Sequence, residues 1–150
     1  MRILVQEVKK AEVWIDGKVF SSINRGFCLF VGFTHGDDQK IIEKMADKVS
    51  KLRIFPDENG KTNLSLFDVG GEILSVSQFT LYGSVKEGNR PSFVESLRPD
   101  EARTLFALWN NILSSKVPSL KTGVFQADMD IHLINEGPFT LWLDSKELVK

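Results

Sequence analysis

Two short polar clusters stand inside apolar, strand-like runs that have no packing use for them: Ser77-Gln78-Phe79-Thr80-Leu81 in the middle of the chain and Asn135-Glu136-Gly137-Pro138-Phe139-Thr140 near its end. A Gly-Pro pair flanked by Asn and Thr asks for a backbone shape that side-chain packing alone does not require. The X-Pro bond is the one peptide linkage that is cis at low cost, about 0.5–1 kcal/mol, and a cis bond brings its flanking carbonyls into an unusual parallel arrangement. The Gly137–Pro138 bond is therefore expected to be cis. The familiar side-chain constellations are missing: no Gly-x-Ser-x-Gly elbow, no Gly-x-x-x-x-Gly-Lys phosphate loop, no His-Glu-x-x-His or Cys-x-x-Cys spacing. Of the two histidines, His35 sits in a turn ahead of a helix, where a surface or capping role is the plain reading. His132 alternates with Asp130 on a strand face, a pairing too common to indicate a metal. Cys28 lies in an apolar run and reads as an inert core thiol. A Ser-His-Asp or Cys-His mechanism has little to stand on.

The chain of 150 residues, 42% hydrophobic and 26% charged, has the composition of one soluble globular domain spanning 1–150. Eleven Phe and three Trp supply enough apolar surface for a core and an interface. No apolar run approaches the roughly 20 residues of a membrane span, and the start of the chain has no signal-peptide layout. A single cysteine fits a reducing compartment, so the cytoplasm is expected and a membrane is not. A net charge of −1 argues against a broadly basic nucleic-acid binder. Lys86 with Arg90, and Lys48 with Lys51 and Arg53, form the two local basic clusters, and solvated surface is the plain reading of both.

The elements that must position the two clusters follow from periodicity. Residues 2–8 and 11–15 alternate, Asp16-Gly17 signals a hairpin, and Lys18-Val19-Phe20 is the return strand. Phe27 to Val31, bounded by Gly26 and Gly32, reads as a fully buried strand. Residues 38–52 switch to helical spacing after the capping candidate Asp37. Asp57 to Gly60 is a turn. Ile73 to Tyr82 returns to period two, which would send Ser77 and Phe79 to one face and Gln78 and Thr80 to the other. Pro99-Asp100-Glu101 opens a second helix with Ala102, Leu105, Phe106 and Trp109 on its buried stripe. Two strands, roughly 129–135 and 139–144, enclose the Gly-Pro turn. About seven strands and two helices make an α+β domain with mostly antiparallel pairing.

With the two clusters in view, the chain resembles the D-aminoacyl-tRNA deacylases, whose signature motifs read Ser-Gln-Phe-Thr-Leu and Asn-x-Gly-Pro-x-Thr. Further segments match in order, among them Leu52-Arg53-Ile54-Phe55, Gly71-Glu72-Ile73-Leu74, Asn89-Arg90-Pro91-Ser92-Phe93 and Ala127-Asp128-Met129. The resemblance implies mostly antiparallel sheets curled into a barrel-like body, with two main helices packed outside. It implies a homodimer with active sites at the subunit interface, acting on the 3′ acceptor end of aminoacyl-tRNA with neither metal nor organic cofactor. Ser77, Gln78, Phe79 and Thr80 would be catalytic. Gly137, Pro138, Asn135, Thr140 and Met129 would bind substrate, the Gly137 and Pro138 carbonyls holding the amino group and leaving no room for an L side chain. Glycine would be admitted. The substrate ester is already activated by its α-ammonium group and the neighbouring 2′-hydroxyl. Orientation and backbone N–H stabilisation of the oxyanion would then suffice without a strong base. Three positions depart from the family pattern: Glu7 where arginine is usual, Gln126 where glycine is usual, and Phe139 in place of the commoner valine. The alternatives are a non-catalytic nucleic-acid-binding homodimer retaining the same fold, and a plain dimeric scaffold.

Overall fold

One strand is paired along both of its edges. In the computed structural model, which describes residues 1–150, β1 (Arg2–Ile15) pairs with β8 (Asp130–Asp144) along one edge. Along the other edge it pairs first with β3 (Gly26–Gly32) and then with β2 (Lys18–Ile23). The two alternating segments read at 2–8 and 11–15 are thus one strand. The Asp16-Gly17 hairpin forms as expected, with φ of 50° and 73° at its two turn residues. The sheet continues from β3 through β6 (Glu72–Ser77) to the short β7 (Lys121–Thr122), both added in parallel. It is a mixed sheet nearly closed into a barrel.

Parallel additions need crossovers, and these carry the rest of the chain. Between β3 and β6 lie α1 (Gln39–Ser50), the hairpin of β4 (Arg53–Pro56) with β5 (Thr62–Ser65), and the single turn α2 (Leu66–Val69). Between β6 and β7 lies α3 (Pro99–Lys116), which packs against α1. A final turn, α4 (Ser145–Leu148), ends the chain. The short pieces β4, β5, β7, α2 and α4 escaped the periodicity reading because two to four residues are too few to show a period. The cap of α1 is Asp38, whose side chain accepts from the Ile41 N–H, and not Asp37. Asp37 is occupied elsewhere, accepting from the Met1 ammonium at 2.7 Å and from the Thr34 N–H.

Alternation within the sheet divides the interior in two. Phe27, Leu29 and Val31 of β3 and Ile3 and Val5 of β1 face the larger core, where they meet Ile42, Met45 and Val49 of α1 and Phe106, Trp109 and Leu113 of α3. Cys28, Leu74 and Val76 face a smaller core with Val8, Val13 and Ile23, bounded by partly buried Met129 and Ile131. Trp109 crosses between layers: its indole N–H donates to Ser75 Oγ at 3.1 Å, tying α3 to β6 inside the protein.

The start of β3 has no room for a side chain. A Cβ on Gly26 would lie 1.8 Å from the Glu72 carbonyl oxygen, and its φ is 158°. Gly26→Ala is therefore expected to lower unfolding stability by about 3 kcal/mol or more, as backbone displacement does in a packed site. Denaturant titration checks this, and a variant within about 1 kcal/mol of the parent would show that the β3–β6 junction is not tight.

Candidate active site

β6 ends where the first polar cluster begins. Gln78 takes the last strand-like bond, its N–H donating to the Val31 carbonyl at 2.8 Å, after which Phe79–Tyr82 tighten into a 3-10 turn. The expected alternation through Tyr82 therefore stops at Ser77, and Gln78 and Thr80 are not two outward residues of one strand. They touch instead, Gln78 Nε2 donating to Thr80 Oγ1 at 2.5 Å. Because the first N–H groups of a helical turn have no intrahelical acceptor, those of Phe79 and Thr80 are left without a protein partner. The turn is held at both ends. Ser96 Oγ donates to the Phe79 carbonyl at 2.8 Å, and Arg2 Nη1 donates to the Leu81 carbonyl at 2.9 Å while its guanidinium lies 4.4 Å from the Tyr82 ring centre.

A cavity of about 950 Å³ opens beside this turn. Ser77, Gln78 and Phe79 line it, as does Met129, so four of the expected site residues meet there. Thr80 follows on the exposed side of the turn. Phe93, Arg98 at the head of α3, and the loop Phe125–Met129 complete the wall. Periodicity could not mark that loop as part of a site, since it belongs to no regular element. Its sequence signals were the segment Ala127-Asp128-Met129 and the departure at Gln126, a residue that takes a φ of 64° in the fold.

The second cluster folds differently from its expected form. The strands read at 129–135 and 139–144 are one strand, β8, interrupted by a slip in register. Val8 pairs with Asn135 and Gln6 with Thr140, so the four residues Glu136 to Phe139 stand opposite the single residue Glu7 and are pushed out as a turn. The Gly137–Pro138 bond is cis, with Gly137 at φ 118°. Asn135 clasps the turn, Nδ2 donating at 2.9 Å both to the Glu7 carbonyl and to the Phe139 carbonyl. Thr140 Oγ1 donates to Asn135 Oδ1 and accepts from Gln6 Nε2. Asn135 and Thr140 are thus committed to shaping the turn, and Gly137 and Pro138 are at its tip. None of the four lines the cavity of its own chain. Phe139 packs on the larger core.

Glu7 lies beneath this turn and is only 4% exposed. Burial pushes its carboxyl above the ordinary range, the Glu136 charge adds to the rise, and Arg25 opposes it. The remaining candidates do not line the cavity. Burial pushes the Cys28 thiol up to about 12, so it is not a thiolate near neutral pH. His35 Nε2 meets the Val94 carbonyl at 2.9 Å, and His132 stacks on Trp14 at 4.9 Å. The basic clusters read as surface: Lys51 pairs with Asp47, Arg53 binds Asn63, and Lys86 and Arg90 sit at an exposed hairpin tip.

Residues 4–144 match the model of the family described as D-Tyr-tRNA(Tyr) deacylase. The chain is 54% identical over 144 residues to a protein of Lactobacillus gasseri named D-aminoacyl-tRNA deacylase, covering 96% of this chain and 99% of that one. It is 53% identical to a protein of the same name from Thermomicrobium roseum, over 99% of this chain and 96% of the other. Among solved structures it is similar to a c-Myc DNA Unwinding Element Binding Protein, with TM-score 0.91 and 37% identity over 96% of this chain and 98% of that one. The fold is also that of a probable eukaryotic D-amino acid tRNA deacylase, with TM-score 0.83 at 16% identity over 95% and 97% of the two chains.

The position of Glu7 has a thermodynamic consequence. A carboxyl whose value is raised on folding binds more protons in the native state, so its contribution falls as pH rises from the ordinary glutamate value, about 4.3, through the raised one. Glu7→Gln is expected to raise the unfolding midpoint at about pH 7 and to lose that advantage as pH falls toward about 4. Thermal melts of both proteins across this range test it, and parallel pH profiles would show that Glu7 is solvated.

Proposed function

The chain belongs to the D-Tyr-tRNA(Tyr) deacylase family, and on that premise we propose that it hydrolyses the ester of D-aminoacyl-tRNA, releasing free tRNA and the D-amino acid. One observation carries the reading. The cavity is edged at Phe79 by an unpaired main-chain donor, with that of Thr80 next along the turn, while a firmly clasped Gly137–Pro138 turn stands outside that cavity.

In the proposed reaction a water adds to the ester carbonyl carbon, and the Phe79 and Thr80 N–H groups hold the oxyanion that forms. Collapse expels the ribose 3′-oxygen, which takes up a proton originating from the attacking water. Preorganised N–H donors are worth about 10²–10³ in rate each, which removes the need for a strong base. Ser77 and Gln78 shape the same wall, and Met129 bounds it. The turn enters from the other copy of a homodimer. Its Gly137 and Pro138 carbonyls receive the substrate's α-ammonium group and fill the space an L side chain would need, while glycyl-tRNA, having no side chain, is also cleared. Exposed Phe20, Ile134 and Trp142 offer apolar surface for such an interface, which should bury on the order of 1,200 Å² or more. The substrate is held by its acceptor end, and the protein acts in the cytoplasm.

The 37% identical structure, that of a c-Myc DNA Unwinding Element Binding Protein, favours a second reading in which the same fold binds nucleic acid without catalysis. Matched D- and L-aminoacyl-tRNA separate the two. The deacylase releases the D-amino acid and spares the L ester, whereas a binding module releases neither.

Thr80→Ala is expected to slow hydrolysis by less than the roughly 10² that loss of an oxyanion donor produces, because the variant keeps the main-chain N–H. His35→Ala, His132→Ala and Cys28→Ala are expected to stay within a few-fold of the parent. A covalent aminoacyl adduct trapped on Thr80 or Ser77 during turnover would replace the water mechanism with a nucleophilic one.

The shared site has its own test. Asn135→Ala breaks the turn clasp and Phe79→Pro breaks the cavity edge, so each should be inactive alone. Mixed and re-associated, they should regain activity, since a heterodimer has one site with both parts intact. No recovery in a mixture that sediments as dimer would place the turn and the cavity in separate roles.

A further inference from the structure

The two free main-chain donors of the turn Phe79–Tyr82 are aimed by different means. A trans peptide is planar, with its carbonyl and its N–H pointing in opposite directions, so whatever holds one end fixes the other. The Phe79 N–H shares its peptide with the Gln78 carbonyl, which is pressed against the end of β3: a Cβ on Gly32 would lie 2.8 Å from that oxygen. Backbone packing sets the first donor. The Thr80 N–H shares its peptide with the Phe79 carbonyl, and the one side chain bonded to that oxygen is Ser96, whose hydroxyl donates at 2.8 Å.

Ser96 stands on a firm base. Its own N–H donates to the Phe93 carbonyl at 3.0 Å, and the N–H of Leu97 donates to the Phe33 carbonyl at 3.0 Å. The Thr34 hydroxyl bonds the Glu95 carbonyl, and Thr34 pairs with Ser96 as a single bridge. The Phe93 ring meets the Phe79 ring edge-on, with centres 5.0 Å apart. The segment therefore hangs on the residues that follow β3, the strand whose Val31 carbonyl also takes the Gln78 N–H.

The direction of the Ser96 bond is fixed, because a carbonyl oxygen only accepts. A serine hydroxyl has one proton, so Ser96 lines the cavity with that proton already committed to Phe79. The bond also polarises the peptide it meets, which strengthens the N–H at the opposite end as a donor.

We propose that Ser96 is a positioning residue for hydrolysis: through the Phe79–Thr80 peptide it aims the Thr80 N–H and strengthens it as a donor to the oxyanion. It touches neither the ester nor the attacking water. The use of that N–H rests on the deacylase reading; the geometry that fixes it does not.

Ser96→Ala removes the hydroxyl and leaves the main-chain bonds of its segment in place. With D-aminoacyl-tRNA its kcat is expected to fall about three- to tenfold, the range for one uncharged hydrogen bond. That is less than the roughly 10² produced by outright loss of an oxyanion donor. KM should stay within about twofold, because the affected interaction is made only as the oxyanion forms. Ser96→Thr keeps the hydroxyl and should restore the parent rate. In NMR spectra of isotope-labelled protein without substrate, the Thr80 amide signal should move in Ser96→Ala and return in Ser96→Thr, while the β6 amides stay in place. Three results would overturn this proposal alone: a fall in kcat with the Thr80 amide unmoved, a Ser96→Thr variant as slow as Ser96→Ala, or an active parent matched by Ser96→Ala. A parent that hydrolyses no aminoacyl-tRNA would overturn the deacylase reading and this one together.

Discussion

The ladder between β1 and β8 is the constraint from which the site follows. β1 is bonded along both edges, so it cannot slide without breaking two sets of partners. With β1 fixed, the pairs Gln6–Thr140 and Val8–Asn135 leave β8 with more chain than its path requires, and the surplus leaves the sheet as the Gly-Pro turn. The first cluster is fixed through the same strand by way of β3, whose Val31 carbonyl receives the Gln78 N–H. Both clusters are thus referenced to one backbone.

Charge is used sparingly around this frame, and mostly where the chain ends meet it. Arg2 at the start of β1 bonds Asp144 at the end of β8 and also holds the Leu81 carbonyl, so it ties the turn after the first cluster to the strand that carries the second. Burial works against ionisation of Asp144, but the Lys146 N–H and the hydrogen bond and charge of Arg2 outweigh it and hold its carboxyl below the usual range. The Met1 amino group is buried beside Asp37 and Ser145, and burial pulls its value down despite Asp37. Glu7 is the exception, an acid with no hydrogen-bonding partner for its side chain and another acid, Glu136, as neighbour.

Elements with a full period were legible in the residues. The stripe Ala102, Phe106, Trp109 specified α3, and the apolar run of Phe27 to Val31 specified β3, because burial against two cores imposes those patterns. The end of β6 was not legible. Gln78 and Thr80 continue an alternating pattern, and the switch to a 3-10 turn depends on acceptors contributed by Val31 and donors contributed by Ser96 and Arg2, which lie far away in sequence. Asn135 and Thr140 were visible as unusual residues, but their partners, Gln6 and the Glu7 carbonyl, appear only when β1 and β8 are side by side. The wall at Phe125–Met129 was legible only through the segment Ala127-Asp128-Met129, and its tie to α3 was not, because Arg103, which bonds Gln126, is one exposed residue on a helix whose pattern speaks only for its buried side.

The register slip at Glu7 also has a bearing on which genetic changes this protein can absorb. Along β8, side chains alternate between an inner and an outer face, so chain length between two fixed pairs matters more than the identity of what lies between them. A substitution at Glu136 or Pro138 alters atoms of the turn and leaves the pairs Gln6–Thr140 and Val8–Asn135 standing. Removing one codon there either shortens the turn or drags Leu141 and Leu143 onto the opposite face. Drift by replacement should therefore be far commoner than drift by length in this segment, and an insertion or deletion there is the lesion that takes the fold and the site together.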